Sequence, residues 1–429
     1  MLPCLGKLLL RNLYLEKICV MTSQPILPNP SSSEQVTFSN SLASLRGTAA
    51  SFVVIYHAFL LFKVSGLDKP QRHGLNFSEP FHMLVHGLIG FFNGPAAVVL
   101  FFVLSGTVLT LSLRRSKGKG LAHLAGYYVR RLFRLYPLLI AVTLFAAAMH
   151  WLYFSDAPTA GATSWMNGYF NQDPGLIETL LNAVGYSNSL NSPAWTIRTE
   201  IIASFLMPLF VVLTRRPALI AATLVVLVAL MYAPLHIGHV NVYLIAFFLG
   251  ALIPNYGRMV ADLYFRFPKW FRYLLIAGAL FAGMFVQRIF RPWVHVDPSS
   301  VLVVSLAATF LVTITFYGRS EGWLASKKLV FLGDISYGLY LLHFIILFAF
   351  AELLGPMLGA DPSPVSALAM MAFIAALTLA VTIPLATLSY HYLERPLQDL
   401  GRKYSKQIQS ADKTAELSAA NTRPAVETP

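Results

Sequence analysis

Between residues 43 and 392 the chain alternates long apolar runs with short polar breaks. A helix needs about 20 apolar residues to cross a bilayer. Runs of that order fall at 43–64, 90–113, 135–155, 196–214, 217–235, 239–256, 271–289, 299–317, 336–355 and 366–392. They predict an all-α polytopic membrane protein of about ten transmembrane helices, with the 217–235 and 239–256 pair the hardest to separate. The polar ends fix the remaining organisation: an N-terminal segment and linker over 1–40, one membrane domain over 41–397, and a tail over 398–429. Residues 22–40 are rich in Ser, Pro and Asn, as a linker is, and from Lys406 onward the Ala, Thr, Ser and Pro content predicts disorder. Residues 1–20 alternate leucines with Lys7, Arg11 and Lys17. They read either as a basic amphipathic helix on the inner leaflet or as sequence ahead of a start at Met21, and the charges argue against a cleaved signal.

Composition supports the membrane assignment, with 56% hydrophobic and only 12% charged residues. A net charge of +13 raises the question of nucleic acid, but the placement of the charges answers it differently. The basic clusters follow even-numbered spans: Arg114 to Arg134 after the second, Arg215 and Arg216 after the fourth, Arg258 to Arg272 after the sixth, Arg319 to Lys328 after the eighth, and Arg395 to Lys406 after the tenth. The stretch from Asp156 to Trp195 has no Lys or Arg. By the positive-inside rule both termini are cytoplasmic, and no nucleic-acid partner is expected. The two cysteines, Cys4 and Cys19, then lie in a reducing compartment, where neither a disulfide nor a metal site is expected.

The stretch LRGTAASFVVIYHAF, Leu45 to Phe59, carries Arg46 and His57, eleven residues apart. At about 100° and about 1.5 Å per residue they share one helix face, about 16 Å apart in depth. Ionisable groups inside a membrane are costly unless they meet a polar cavity or a partner, so this face reads as lining a site that reaches in from the cytoplasmic side. The plainer readings are snorkelling of Arg46 and an interhelical hydrogen bond from His57. In FFVLSGTVLTLSLRR, Phe101 to Arg115, Ser105 and Gly106 suit close helix approach. In YYVRRLFRLYP, Tyr127 to Pro137, the guanidiniums of Arg130, Arg131 and Arg134 suit a phosphate-bearing ligand or anionic headgroups. In SPAWTIRTEI, Glu200 comes to a depth similar to that of His57, where a carboxylate would fix the imidazole's tautomer; pairing with Arg198 or another helix is the alternative. In LGDISYGLYLLHF, Ser336, Tyr340 and His343 fall on one face as a packing or ligand-lining stripe, with Ser336 and His343 about 10 Å apart along the axis and thus too far to share a proton. In SYHYLERPL, Glu394 and Arg395 before Pro396 read as a helix stop.

Together these segments resemble the acyltransferase-3 family of integral membrane O-acyltransferases. The resemblance rests on LRGTAASFVVIYH at 45–57, FFVLSG at 101–106, RRLFRLYP at 130–137, WTIRTE at 195–200, SYGLYLLH at 336–343 and YLERP at 392–396, and it covers nearly all of 41–397. Any one motif is weak; six in the family's order are specific. The resemblance implies transfer of an acyl group, often acetyl, from cytoplasmic acyl-coenzyme A to a hydroxyl of a carbohydrate or glycolipid acceptor such as a cell-surface polysaccharide or lipopolysaccharide, in the bacterial inner membrane and without a metal. It makes His57 the essential membrane histidine and Arg46 the arginine of the same helix. It assigns Arg130, Arg131 and Arg134 to the basic cytoplasmic motif and Glu200 to its acidic position, although Ile201 stands where the commoner form has a second acid. Relatives with a soluble esterase-like domain finish transfer outside the membrane, so here acceptance is expected in the membrane domain or on a separate extracytoplasmic partner.

On this reading the arginines bind the donor's phosphates, His57 acts as base or as acylated nucleophile, and Glu200 orients it. Ser336, Tyr340 and His343 line the acceptor side or the donor's channel. A transporter or flippase of an anionic or lipid-linked sugar would also use buried Arg, His and Glu. It would more often show inverted repeats and broken helices, and the sequence shows neither.

Overall fold

The computed structural model describes residues 32–70, 78–115, 120–170, 173–235, 238–290, 296–318, 324 and 326–421. The chain divides into a short unit, Met1–Ser39, described only from Ser32, where it is helical, and a second unit, Asn40–Pro429. The expectations for residues 1–20 and for both cysteines lie outside the described residues. Among the described residues there is no strand. The helices are α1 (Ser32–Ala58), α2 (Pro80–Phe91), α3 (Gly94–Arg115), α4 (Leu121–Leu152), α5 (Leu176–Ala183), α6 (Trp195–Leu213), α7 (Pro217–Tyr232), α8 (Val240–Arg266), α9 (Lys269–Phe290), α10 (Pro298–Tyr317), α11 (Lys327–Asp334), α12 (Ser336–Leu354), α13 (Pro364–Ser389) and α14 (Arg395–Asn421).

Each of the ten predicted runs lands on a helix: α1, α3, α4, α6, α7, α8, α9, α10, α12 and α13. Among the described residues, eight helical stretches are long and apolar enough to cross a membrane. The two that fall short are α1, whose opening turns are polar and which stops at Ala58, and α7, with 16 residues. Starts follow local chemistry. Asp297 caps α10 by accepting from the Ser300 amide at 2.8 Å, and Ser363 caps α13 by accepting from the Ser366 amide at 3.2 Å, each ahead of a proline in the first turn.

The centre is α8, packed against α3, α6, α7 and α10 and buried almost continuously from Val240 to Ala251. A helix that is apolar all round belongs inside. Its contact with α3 is reciprocal: a Cβ on Gly106 would strike the Phe247 carbonyl, and one on Gly250 would strike the Val103 carbonyl. Thr107 locks the crossing by donating from its hydroxyl to the Gly250 carbonyl at 3.1 Å. Gly106 therefore serves close helix approach, as its motif predicted.

Two readings of the ends are corrected. The stretch expected as linker up to residue 40 is helical from Ser32, and the stretch from Lys406 expected to be disordered continues α14 to Asn421. Composition averages over faces and so missed that α14 packs along α4. Gly401 lies against Phe133, and Ser405, buried, lies against Gly126 and accepts from the Arg130 guanidinium.

Candidate active site

His57 is the penultimate residue of α1, and His343 lies in the middle of α12, fully buried. The two imidazoles meet Nδ1 to Nε2 at 2.9 Å, with ring planes only 7° apart and centroids 5.2 Å apart. That separation is the nitrogen–nitrogen distance plus one ring radius at each end, so the bond runs straight between nearly coplanar rings. The other nitrogen of His343, Nδ1, lies 2.6 Å from the Tyr340 carbonyl. A carbonyl only accepts, so Nδ1 of His343 carries the proton and its Nε2, in the neutral ring, is the acceptor. Hence Nδ1 of His57 is the donor. Nε2 of His57 is thereby left without a proton, which is the form a base or nucleophile needs.

His57 lines a cavity of about 410 Å³ formed where the start of α3, the start of α6, α8, α10 and the segment around Trp165 come together. Its wall is aromatic, with Tyr56, Trp165, Tyr169, Trp195, Tyr243 and Tyr340. Trp165 lies nearly parallel to the His57 ring, at 14° and 5.6 Å between centroids. The backbone puts it there. The Thr163 amide donates to the Leu61 carbonyl at 2.8 Å, the Thr163 hydroxyl to the Leu60 carbonyl at 2.6 Å, and the Lys63 amide to the Gly161 carbonyl at 3.0 Å. Asp68 closes this strap by accepting from the Ser164 amide at 2.6 Å and its hydroxyl at 2.5 Å.

Partial burial raises the Asp68 pKa, but the two Ser164 hydrogen bonds, with Lys63 and Lys69 nearby, outweigh it and hold the carboxyl below its ordinary value. A depressed carboxyl stabilises the fold above its unfolded pKa, near 4, and that contribution is lost as the pH falls through the lower folded value. Asp68→Asn is therefore expected to loosen the strap at neutral pH, seen as faster proteolysis between residues 153 and 170 and altered tryptophan fluorescence. Wild type is expected to show the same change only below about pH 4, when the carboxylate titrates.

Glu200 does not reach His57. Its Oε1 accepts from the Arg131 guanidinium at 2.5 Å and from the Ser105 hydroxyl at 3.1 Å, and Arg131 also donates to the Ser204 hydroxyl at 3.1 Å. The expectation that Glu200 orients His57 is corrected: His343 takes that place. Ser192, Pro193 and Trp195 line the same cavity as His57, and Glu200 lies five residues beyond Trp195, about 7 Å further toward the basic end. The expected three-arginine clamp also divides. Arg130 holds α14 and Arg131 holds Glu200, which leaves Arg134. Arg134 lies within electrostatic reach of Arg46, and neither has a carboxylate within 4 Å among the described residues; Nε of Arg46 is buried with no hydrogen-bond partner. Neither arginine lines the His57 cavity; on the face of α1 between the two levels Ala49 and Ala50 are buried, and Val53 belongs to the cavity wall. Ser336 donates to the Gly333 carbonyl at 2.7 Å, away from the cavity, whereas Tyr340 lines it and donates to the Pro193 carbonyl at 3.2 Å.

A family model described as an acyltransferase domain matches residues 39–388, from the first turns of α1 to the end of α13. The chain belongs to the acyltransferase-3 family. No curated protein and no solved structure matches it. The acyltransferase is thus an integral membrane enzyme, and His57 with His343 stands inside the matched region. The sequence placed His343 on a ligand-lining stripe and missed its bond to His57; the signal available was the three-residue step back to the Tyr340 carbonyl, which fixes the tautomer locally. Trp165 was missed because it sits in a polar loop without periodicity.

Proposed function

We propose that the acyltransferase moves an acyl group, acetyl in the simplest case, from a cytoplasmic acyl-coenzyme A to a hydroxyl of a saccharide held in the aromatic cavity. The observation that carries this reading is the unprotonated Nε2 of His57, whose tautomer His343 fixes, on a residue that lines an aromatic cavity of about 410 Å³. The basic ends of the spans face the cytoplasm by the positive-inside rule, as do both termini, which puts the cavity on the outer side.

The donor's diphosphate fits Arg46 and Arg134, which lie within electrostatic reach of each other and of Glu200, with no ion pair within 4 Å to either among the described residues. When bound there, coenzyme A supplies the thioester. His57 takes the hydroxyl proton on Nε2 as the oxygen attacks the carbonyl carbon, and returns it to the sulfur as the C–S bond breaks. His343 accepts from the Nδ1 proton throughout, which holds the ring in place as it becomes charged. Ala49 and Ala50, buried between the arginine level and the cavity, lie on the path the thioester would take, so its delivery needs α1 to part from its neighbours there.

The test is donor binding and product formation by the purified protein with acetyl-coenzyme A and a saccharide acceptor. Arg134→Ala and Arg46→Ala are expected to weaken donor binding by about tenfold or more, the worth of one charge-assisted hydrogen bond, while saturating donor restores most of the rate. Unchanged donor binding in both variants sinks the assignment of the donor site.

A further inference from the structure

The cavity that receives the acceptor has a charge as well as a shape. Its lining carries Arg198 and His239 but no Asp or Glu among the described residues. Arg198 sits one turn below the start of α6. Its Nη1 donates to the Tyr186 carbonyl at 3.0 Å, its Nε is buried with no hydrogen-bond partner, and no carboxylate lies within 4 Å of it among the described residues. The guanidinium lies against Gly238, where any Cβ would collide with it, and Gly238 holds a φ of +60° that favours glycine. His239, the next residue, also has a left-handed backbone, at φ 62°, which is uncommon outside glycine. Two consecutive residues in that region bend the chain so that His239 reaches the same wall as Arg198. The arginine is therefore anchored, partly desolvated and, among the described residues, without a counter-ion, an arrangement that is costly unless something supplies the negative charge.

We propose that the acceptor is an anionic saccharide, and that Arg198 binds its carboxylate or phosphate while the aromatic wall holds the sugar ring. This rests on the reading of the cavity as the acceptor site. Arginine's planar fork suits two-oxygen anions of either kind. Arg198 lies on the cavity wall and makes no contact with the two histidines, so it selects the acceptor rather than taking part in the chemistry.

The test compares methyl glucuronoside, methyl glucoside and glucosyl phosphate as acceptors for acetyl from acetyl-coenzyme A. Binding is followed in parallel by the fluorescence of Trp165 and Trp195, both in the cavity wall. Wild type is expected to prefer at least one charged sugar over the neutral one by about tenfold or more in kcat/KM, the one preferred telling carboxylate from phosphate. Arg198→Gln is expected to abolish that preference and Arg198→Lys to keep part of it. The wild-type ratio needs no variant, so the proposal stays testable if Arg198→Gln does not fold. Equal use of charged and neutral sugars by wild type, or a preference unchanged in Arg198→Gln, overturns the proposal and leaves the acceptor site standing. If no sugar is acetylated and none changes the fluorescence, the acceptor reading fails and this inference with it.

Discussion

His57→Ala is expected to lower acyl transfer by about 10²–10⁴-fold, the usual worth of a positioned proton acceptor, while leaving donor binding and thermal stability close to wild type. The split follows from geometry. The donor's phosphates are assigned to Arg46, about 16 Å along α1 from His57, and to Arg134 on α4, so losing the imidazole removes the chemical step and not the anchor. His343→Ala belongs to the same prediction at smaller size. Without the Nε2 acceptor the His57 ring can place its proton on either nitrogen, and the two neutral tautomers are close in energy, so the loss is expected to be about tenfold and confined to kcat. His343→Gln, whose amide oxygen can accept from Nδ1 of His57, is expected to regain part of it. A packing role for His343 alone would show as lost stability with kcat unchanged in the folded fraction.

Glu200→Ala is expected to cost about 3–5 kcal/mol of stability, because it strands a largely buried Arg131 without its charge partner. The Ser105 hydroxyl loses its acceptor in the same change. Glu200→Gln keeps an oxygen for both donors and is expected to cost less than half as much. The folded Glu200→Gln protein should retain most of its kcat, since the nearest polar partners of Glu200 are Arg131 and Ser105 rather than His57. Midpoints in a denaturant series, read beside the turnover of the folded fraction, check both statements. Glu200→Gln that folds like wild type but fails to turn over would return the carboxylate to the chemistry.

The contrast between His57 and Glu200 shows how much of the site was legible in the sequence. Periodicity gave depth well: the ten apolar runs all fall on helices, and Arg46 and His57 occupy two levels of α1. It gave rotation and neighbours poorly. Whether a side chain on α6 turns toward α1 or toward α4 depends on how helices pack, and a separation of 286 positions between His57 and His343 leaves no local signal of their contact. The arginine motif is a related case. Three guanidiniums in five residues look like one clamp, yet Arg130 is taken by Ser405 and Arg131 by Glu200, and only Arg134 is left for a ligand. Composition misled at the tail, where a helix polar on average buries Gly401 and Ser405, four residues apart, against α4. The strap that carries Trp165 is held by two backbone hydrogen bonds and by the side chains of Thr163, Ser164 and Asp68, whose partners are distant in the chain and leave no local signal.

The measurement that tests the central claim most directly is free thiol release from acetyl-coenzyme A by the purified acyltransferase in the presence of an acceptor sugar, with donor binding measured on the same samples for wild type and His57→Ala. The account predicts equal donor affinity in both proteins and release slower by at least about a hundredfold in His57→Ala. Release by folded His57→Ala at the wild-type rate would contradict it and move the chemistry away from this histidine pair.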